Sequence, residues 1–228
     1  MRSRDADRFN HDADAPDYDR QVADESSPIR RGYAACLRAL AEDLRRGPGP
    51  AELPLTDLGA GTGGLTALLP PHRAVDAVDI SAEMLKHART RLAGRPVTFH
   101  QTDLLAYITE SDTPLASVAS SFALHHLHPD EKAVLLTHLA ARMVPGARLC
   151  IGDLGFVDDS AKQAFLNDPH TGVEASEAVV DEYFWDWSAA EAQLRSLGFR
   201  VRRRQHGPLI ASVVATREDT RNDELPEE

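Results

Sequence analysis

Leu55-Thr56-Asp57-Leu58-Gly59-Ala60-Gly61-Thr62-Gly63-Gly64 is the stretch that decides the fold. A short apolar run leads into a glycine-rich turn, and a helical pattern follows. Glycine tolerates positive φ and lets a ligand approach the main chain with no Cβ in the way. Amides at the start of the following helix are free to meet an anionic group. Gly59, Gly61 and Gly64 also satisfy the G-x-G-x-x-G dinucleotide fingerprint, so the loop alone leaves its ligand open.

Upstream, Ile29, Tyr33, Leu37, Leu40 and Leu44 recur at helical spacing, and Gly47-Pro48-Gly49-Pro50 stops that helix. Leu53 to Leu58 reads as a strand, and the helix after the loop ends at Pro70-Pro71. Ala74 to Ile80 is a second strand; Ser81 suits the N-cap of the next helix and Gly94 its stop. Val97 to Gln101 is a third, and Ser117 to Ala123, continuously small or apolar, a fourth buried on both faces. Pro129 opens a helix that runs to about Met143, with Asp130 and Glu131 in its first turn. Pro145-Gly146 then turns the chain into a strand from Arg148 to Gly152. After helix Ala189 to Leu197, stopped by Gly198, come Phe199 to Gln205 and Leu209 to Thr216, split by Gly207-Pro208 as an antiparallel pair would be. This alternation predicts an α/β, doubly wound, mostly parallel sheet with helices on both faces. Ligands of such sheets sit beyond the carboxyl ends of the strands, where strand order reverses.

Acidic residues fall at two of those ends. Asp79 lies 79 − 59 = 20 residues after Gly59, where a carboxylate accepts from ribose hydroxyls. Asp103 follows the third strand and is either an acceptor for an adenine amino group or a turn aspartate.

Asp57 to Gly63 resembles motif I of class I S-adenosylmethionine-dependent methyltransferases. Asp79-Ile80-Ser81-Ala82-Glu83-Met84-Leu85, followed by Ala88-Arg89, resembles that family's second strand end. Ser121 to Leu127, then Leu139 to Gly146, is similar to its fourth strand and following helix. The resemblance implies a Rossmann-like methyltransferase fold of seven strands, the last antiparallel, with S-adenosylmethionine as cofactor. It places Asp57, Gly59, Ala60, Gly61, Thr62 and Gly63 along the methionine part and Asp79 on the ribose. Ile80 and Met84 would flank the adenine, with Asp103 and Leu104 at its edge. Ser120 and Phe122 would line the side near the sulfonium, and Tyr18, in a Tyr-Asp element, would close over the cofactor. The family's fourth strand commonly opens with an aspartate; here Leu115-Ala116-Ser117 stands instead, which loosens the assignment of Ser120.

His125, His126 and His128 follow the fourth strand, and His125 is the candidate general base, needed only if the acceptor must lose a proton early. Otherwise one histidine packs under the loop and His128 caps a helix. No metal is expected, because adjacent His125 and His126 do not easily face one ion. Tyr183, Phe184, Trp185 and Trp187 form either an acceptor-pocket wall or a helix face packed on the core.

Lys and Arg total 25 against 36 Asp and Glu, a net charge of −11 that disfavours nucleic acid. The basic run Arg200, Arg202, Arg203 and Arg204 reads as the polar side of an edge strand. Cys36 and Cys150 have no metal or disulfide spacing and fit buried positions in a reducing cytosol. Neither a signal peptide nor a membrane span is read, so the expectation is a cytoplasmic enzyme with a small-molecule acceptor. Residues 1–28 form a polar segment and candidate lid, 29–217 the methyltransferase domain with 156–188 as acceptor-site insert, and 218–228 an acidic tail. An NAD-dependent oxidoreductase and a non-catalytic cofactor-binding module remain the alternatives.

Overall fold

The computed structural model describes residues 1–45 and 53–219. The expected stop at Gly47-Pro48-Gly49-Pro50 and most of the acidic tail lie outside them. Helices α1 (Tyr18–Ala23) and α2 (Tyr33–Arg45) precede the sheet. Strands β1 (Leu55–Leu58), β2 (Val75–Asp79), β3 (Val97–Gln101) and β4 (Leu115–Ser121) alternate with α3 (Gly64–Leu68), α4 (Ala82–Arg91) and α5 (Leu104–Thr109). A 3-10 turn (Leu124–His126) leads to α6 (Pro129–Arg142) and β5 (Met143–Phe156). Then come α7 (Asp159–Asn167), α8 (Val173–Asp181), β6 (Trp185–Asp186), α9 (Trp187–Ser196), β7 (Phe199–Gln205) and β8 (Ile210–Arg217).

The strand order is β3-β2-β1-β4-β5-β8-β7, with β8 antiparallel to both neighbours. The doubly wound, mostly parallel α/β sheet is therefore as read, and two-residue β6 adds a short pairing with the end of β5. Order reverses between β1 and β4, which places the glycine loop beside the turn after β4.

The sheet separates two cores. Leu105 and Ile108 of α5, Leu135, Leu136 and Leu139 of α6, and Trp187 and Leu194 of α9 lie in one. Cys36, Leu37 and Leu40 of α2 and Leu65 of α3 lie in the other. On β4, Val118 joins the first core and its neighbour Ala119 the second, as a strand covered on both faces requires. Burial pushes the thiol of Cys150 up to about 12 and that of Cys36 higher still, so both behave as small apolar groups. Edge strand β7 carries the arginine run, where Arg202 pairs with Asp43 at 2.7 Å and Arg203 with Glu191 at 2.8 Å.

Several boundaries differ from the sequence reading: β1 starts at Leu55, α9 at Trp187, and β5 runs on to Phe156. β4 begins at Leu115 and ends at Ser121, two residues earlier at each end. Pro145-Gly146 is no turn between elements. Leu115 pairs with Met143 and Ser117 with Arg148, so β5 carries extra residues there as a bulge, with Gly146 at φ 79°. Pro and Gly are the residues a strand interior tolerates at such an irregularity.

Helix α2 presses onto β5 at Gly152, where an added Cβ would lie 2.5 Å from Cys36 Sγ and 2.7 Å from Leu40 Cδ1. Gly152→Ala should therefore cost about 1–3 kcal/mol through overpacking. Urea denaturation checks this through a lowered midpoint at unchanged slope; an unaltered midpoint contradicts the packing described.

Candidate active site

At the end of β1 the chain turns through Gly59, Gly61 and Gly63, at φ 71°, 52° and 81°. A Cβ on Gly59 would meet the Ala123 Cβ at 2.2 Å, so only glycine lets the two strand ends close up. Gly61 faces open space instead. Its N–H donates to Asp79 Oδ2 at 2.8 Å, and the Ser81 N–H donates to Asp79 Oδ1 at 2.9 Å. Burial raises the pKa of Asp79, and these two N–H groups oppose that shift. Ser81 caps α4 as expected, accepting from the Met84 N–H at 3.0 Å.

These groups border a cavity of about 130 Å³ that opens to solvent. Of the residues assigned from sequence, Tyr18, Gly59, Gly61, Asp79, Ile80 and Met84 line it, as do Asp103, Leu104, Phe122 and His125. The others support the wall from behind. Ser120 Oγ donates to the Leu58 carbonyl at 2.8 Å and is fully buried. Thr62 Oγ1 donates to Asp19 at 2.7 Å and accepts from Arg91 at 2.9 Å. Gly63 packs against Leu92 and Ala88, and the Ala60 N–H bonds to the Val78 carbonyl. Asp57 is wholly buried beneath the loop; Thr66 Oγ1 donates to its Oδ2 at 2.6 Å, and Oδ1 has no partner among the described residues.

Asp103 caps α5 through the Ala106 N–H at 2.9 Å and also accepts from the N–H and hydroxyl of Ser3. A contact to an adenine amino group there would have to displace or share with Ser3.

After β4 the chain reverses through Phe122, a non-glycine residue at φ 53° whose ring lies 4.5 Å from that of Tyr33. Such backbone costs of order 1–3 kcal/mol and is held only where the surroundings determine it. The Phe122 N–H donates to the Gly152 carbonyl at 2.8 Å. The following turn aims His125 inward, 5% exposed, against Asp153 of β5. Glu182 Oε2 lies 3.6 Å from His125 Nε2.

His126 is also enclosed. Phe9 stacks on it with ring centroids 4.2 Å apart, and His11 Nε2 lies 3.1 Å from its Nε2. Burial, then the charge of His125, holds its pKa well below the usual histidine range. The spacing argument that adjacent histidines cannot share a focus does not hold, since the 3-10 turn brings one ligand atom each from His125, His126 and Glu182 within 4.8 Å of one another. His128 sits at the N-cap of α6, its side chain 3.1 Å from Asp5.

Asp153, Glu182, Ser3, Phe9 and His11 were absent from the sequence assignment. The aromatic segment belongs to the core reading: Trp185 and Trp187 stack at 5.3 Å in the interior, and among the described residues of 156–188 only Glu182 reaches the cavity wall.

A family profile described as a methyltransferase domain matches residues 55–146. An uncharacterized methyltransferase of Staphylococcus carnosus is 30% identical over 67% of this chain and 70% of its own. Another, from Geobacillus kaustophilus, is 27% identical over 90% of this chain and 94% of its own. Among solved structures, magnesium protoporphyrin IX methyltransferase from Synechocystis with bound S-adenosylhomocysteine (SAH) superposes with a TM-score of 0.65 at 20% identity, over 93% of this chain and 97% of that one. Fold and glycine-loop site define a Rossmann-like methyltransferase. The chain belongs to the class I S-adenosylmethionine-dependent methyltransferase family, an enzyme family with that sulfonium compound as cofactor. The oxidoreductase alternative falls with this result.

The buried Asp57 gives a pH test. Burial pushes its pKa from 3.8 to about 6. Between those values the unfolded chain loses this proton before the folded one, so this group's contribution to stability is lost as pH rises through about 6, by up to roughly 3 kcal/mol. Asp57→Asn should gain stability relative to wild type on going from pH 4 to pH 7. Denaturation curves at both values check it, and a difference that stays constant refutes it.

Proposed function

We propose that this enzyme methylates a small-molecule acceptor, and that one cavity holds both donor and acceptor. The observation that carries the reading is the convergence on one enclosed space of the Gly59–Gly61 main chain, the Asp79 carboxylate and the inward-facing His125. Residues 3–11 lie across that space, which supports a small acceptor over a macromolecular one.

The residues present suit an adenosyl sulfonium compound. Gly61 offers side-chain-free main chain with open space where a Cβ would stand. Asp79 would accept from the ribose hydroxyls, with Ile80 and Met84 against the adenine and Leu104 at its edge. Asp103 would join them by exchanging Ser3. Tyr18, sharing a hydroxyl hydrogen bond with Tyr33, would cover the donor. Arg30 also lines the cavity and suits the donor's carboxylate. Asp57, Ala60, Thr62, Gly63 and Ser120 would hold the loop in shape from behind. Bound S-adenosylmethionine supplies an electrophilic methyl group on sulfonium, already joined to a good leaving group. The chain's own task is then mainly to hold the acceptor in line about 3 Å from that methyl and to exclude water. His125 would take the acceptor's proton. The domain division fits the same reading, with residues 1–28 as cover and 29–217 as the catalytic domain. Residues 156–188 contribute to the acceptor end through Glu182. No helix among the described residues is long and apolar enough to cross a membrane, and we infer a cytoplasmic setting.

Calorimetry with SAH should register binding to wild type. Asp79→Ala should weaken it by at least about tenfold, as expected for loss of hydrogen bonds to a charged group. Methyl-labelled donor incubated with a metabolite panel should then mark one class of small molecule. Absence of heat with folded protein would falsify the site assignment, and label found only on protein or nucleic acid would overturn the acceptor class.

A further inference from the structure

Asp153 is fully buried in β5, yet three N–H groups and the ring nitrogen Nδ1 of His125 converge on its carboxylate. The His125 N–H reaches Oδ2 at 3.0 Å and Trp185 Nε1–H reaches it at 3.1 Å. The Leu154 N–H reaches Oδ1 at 2.9 Å, and His125 Nδ1 lies 2.5 Å from the same oxygen. Burial alone would raise this carboxyl, but His125, Lys132 and the Leu154 N–H together outweigh it and hold the pKa below the usual range. Lys132 contributes charge from nearby while its ammonium group donates to the Tyr183 carbonyl and stands over the Trp185 ring at 4.6 Å. An ionised carboxylate only accepts, so Nδ1 of His125 must carry a proton. A neutral imidazole with Nδ1–H has a bare Nε2. That nitrogen has Glu182 Oε2 at 3.6 Å, another acceptor and too far for a hydrogen bond.

Resting on the reading that His125 faces the acceptor, we infer that Asp153 is a positioning residue that locks His125 in the Nδ1–H tautomer, leaving Nε2 bare for a hydroxyl acceptor. A hydroxyl is the nucleophile that gains most, since it holds its proton at neutral pH and attacks poorly while it does. The step balances. The acceptor oxygen forms a bond to the methyl carbon as the carbon–sulfur bond breaks. The electron pair leaves with sulfur as a neutral thioether, and the hydroxyl proton passes to Nε2. The resulting imidazolium lies between Asp153 and Glu182.

The test is the tautomer of His125 in full-length protein labelled with 15N-histidine and saturated with SAH, read by long-range proton–nitrogen correlation and assigned with His125→Gln. The expected spectrum has a protonated, pyrrole-type Nδ1 and a bare, pyridine-type Nε2. Asp153→Asn puts an amide donor among three N–H donors, facing Nδ1, and should shift population to the Nε2–H form. With the acceptor found by the labelled panel, it should lower kcat by about 10²-fold or more while SAH affinity stays within twofold. The methyl group should be recovered as an ether. A wild-type spectrum with Nε2 protonated overturns the inference whether or not the variant folds, and so does a methyl ester. Failure of SAH to bind is a different result, which strikes the cofactor site and not the tautomer.

Discussion

The missing side chain at Gly59 is the constraint on which the site depends. β1 and β4 are adjacent parallel strands, and the chain leaves them for opposite duties: one for the cofactor loop, the other for the His125 turn. The two exits touch at Gly59 and Ala123, where any Cβ on Gly59 would sit 2.2 Å from the alanine methyl. Glycine at φ 71° removes both the clash and the conformational cost. With the exits in contact, the Gly61 main chain and His125 border one cavity instead of two. Phe122 takes the complementary strain at φ 53°, anchored by Gly152 and Tyr33, and that bend aims His125 at Asp153.

Buried carboxylates around this point show how the chain manages charge in a dry place. Asp79, Asp103 and Asp153 each receive several donors, mostly main-chain N–H groups from the turns and helix starts next to them. Asp57 receives one hydroxyl and keeps an oxygen with no partner among the described residues, and burial pushes it up to about 6. Asp153 is as deeply buried, yet its contacts with His125 and its further N–H donor oppose desolvation and hold it below the usual range.

Much of this was legible in the sequence because it is local. The β3 and β7 spans, the Ser81 cap and the Pro129 start all follow from residues within one or two turns. The glycine loop and Asp79 were legible for the same reason, being consecutive strand ends on one edge of a predictable crossover. Asp153 was not. It stands in Cys150-Ile151-Gly152-Asp153-Leu154, which reads as the fading end of an apolar strand until β5 is seen to continue to Phe156. A charged residue inside an apolar strand was the available signal, because such a group persists only when paired. Ser3, Phe9 and His11 carried no signal, since their partners Asp103 and His126 lie 100 or more residues away. The aromatic run Tyr183 to Trp187 looked like a pocket wall and packs mainly as core, because amphipathic spacing does not say which apolar surface a face meets.

Residues 2–11 are held against the rest of the fold by contacts of unequal worth. Arg2 with Asp7 and Arg4 with Asp130 are solvent-exposed ion pairs and add little. Phe9 on His126 adds about 0.5–1.5 kcal/mol as a ring pair beyond its buried area. Ser3 on Asp103 is different, since both are buried and the carboxylate accepts from the N–H and the hydroxyl of Ser3 while it caps α5. Losing that partner would leave a buried acceptor short of a donor, a larger cost than losing a solvated ion pair, so the contact nearest the cavity holds this segment more firmly than the exposed pairs do.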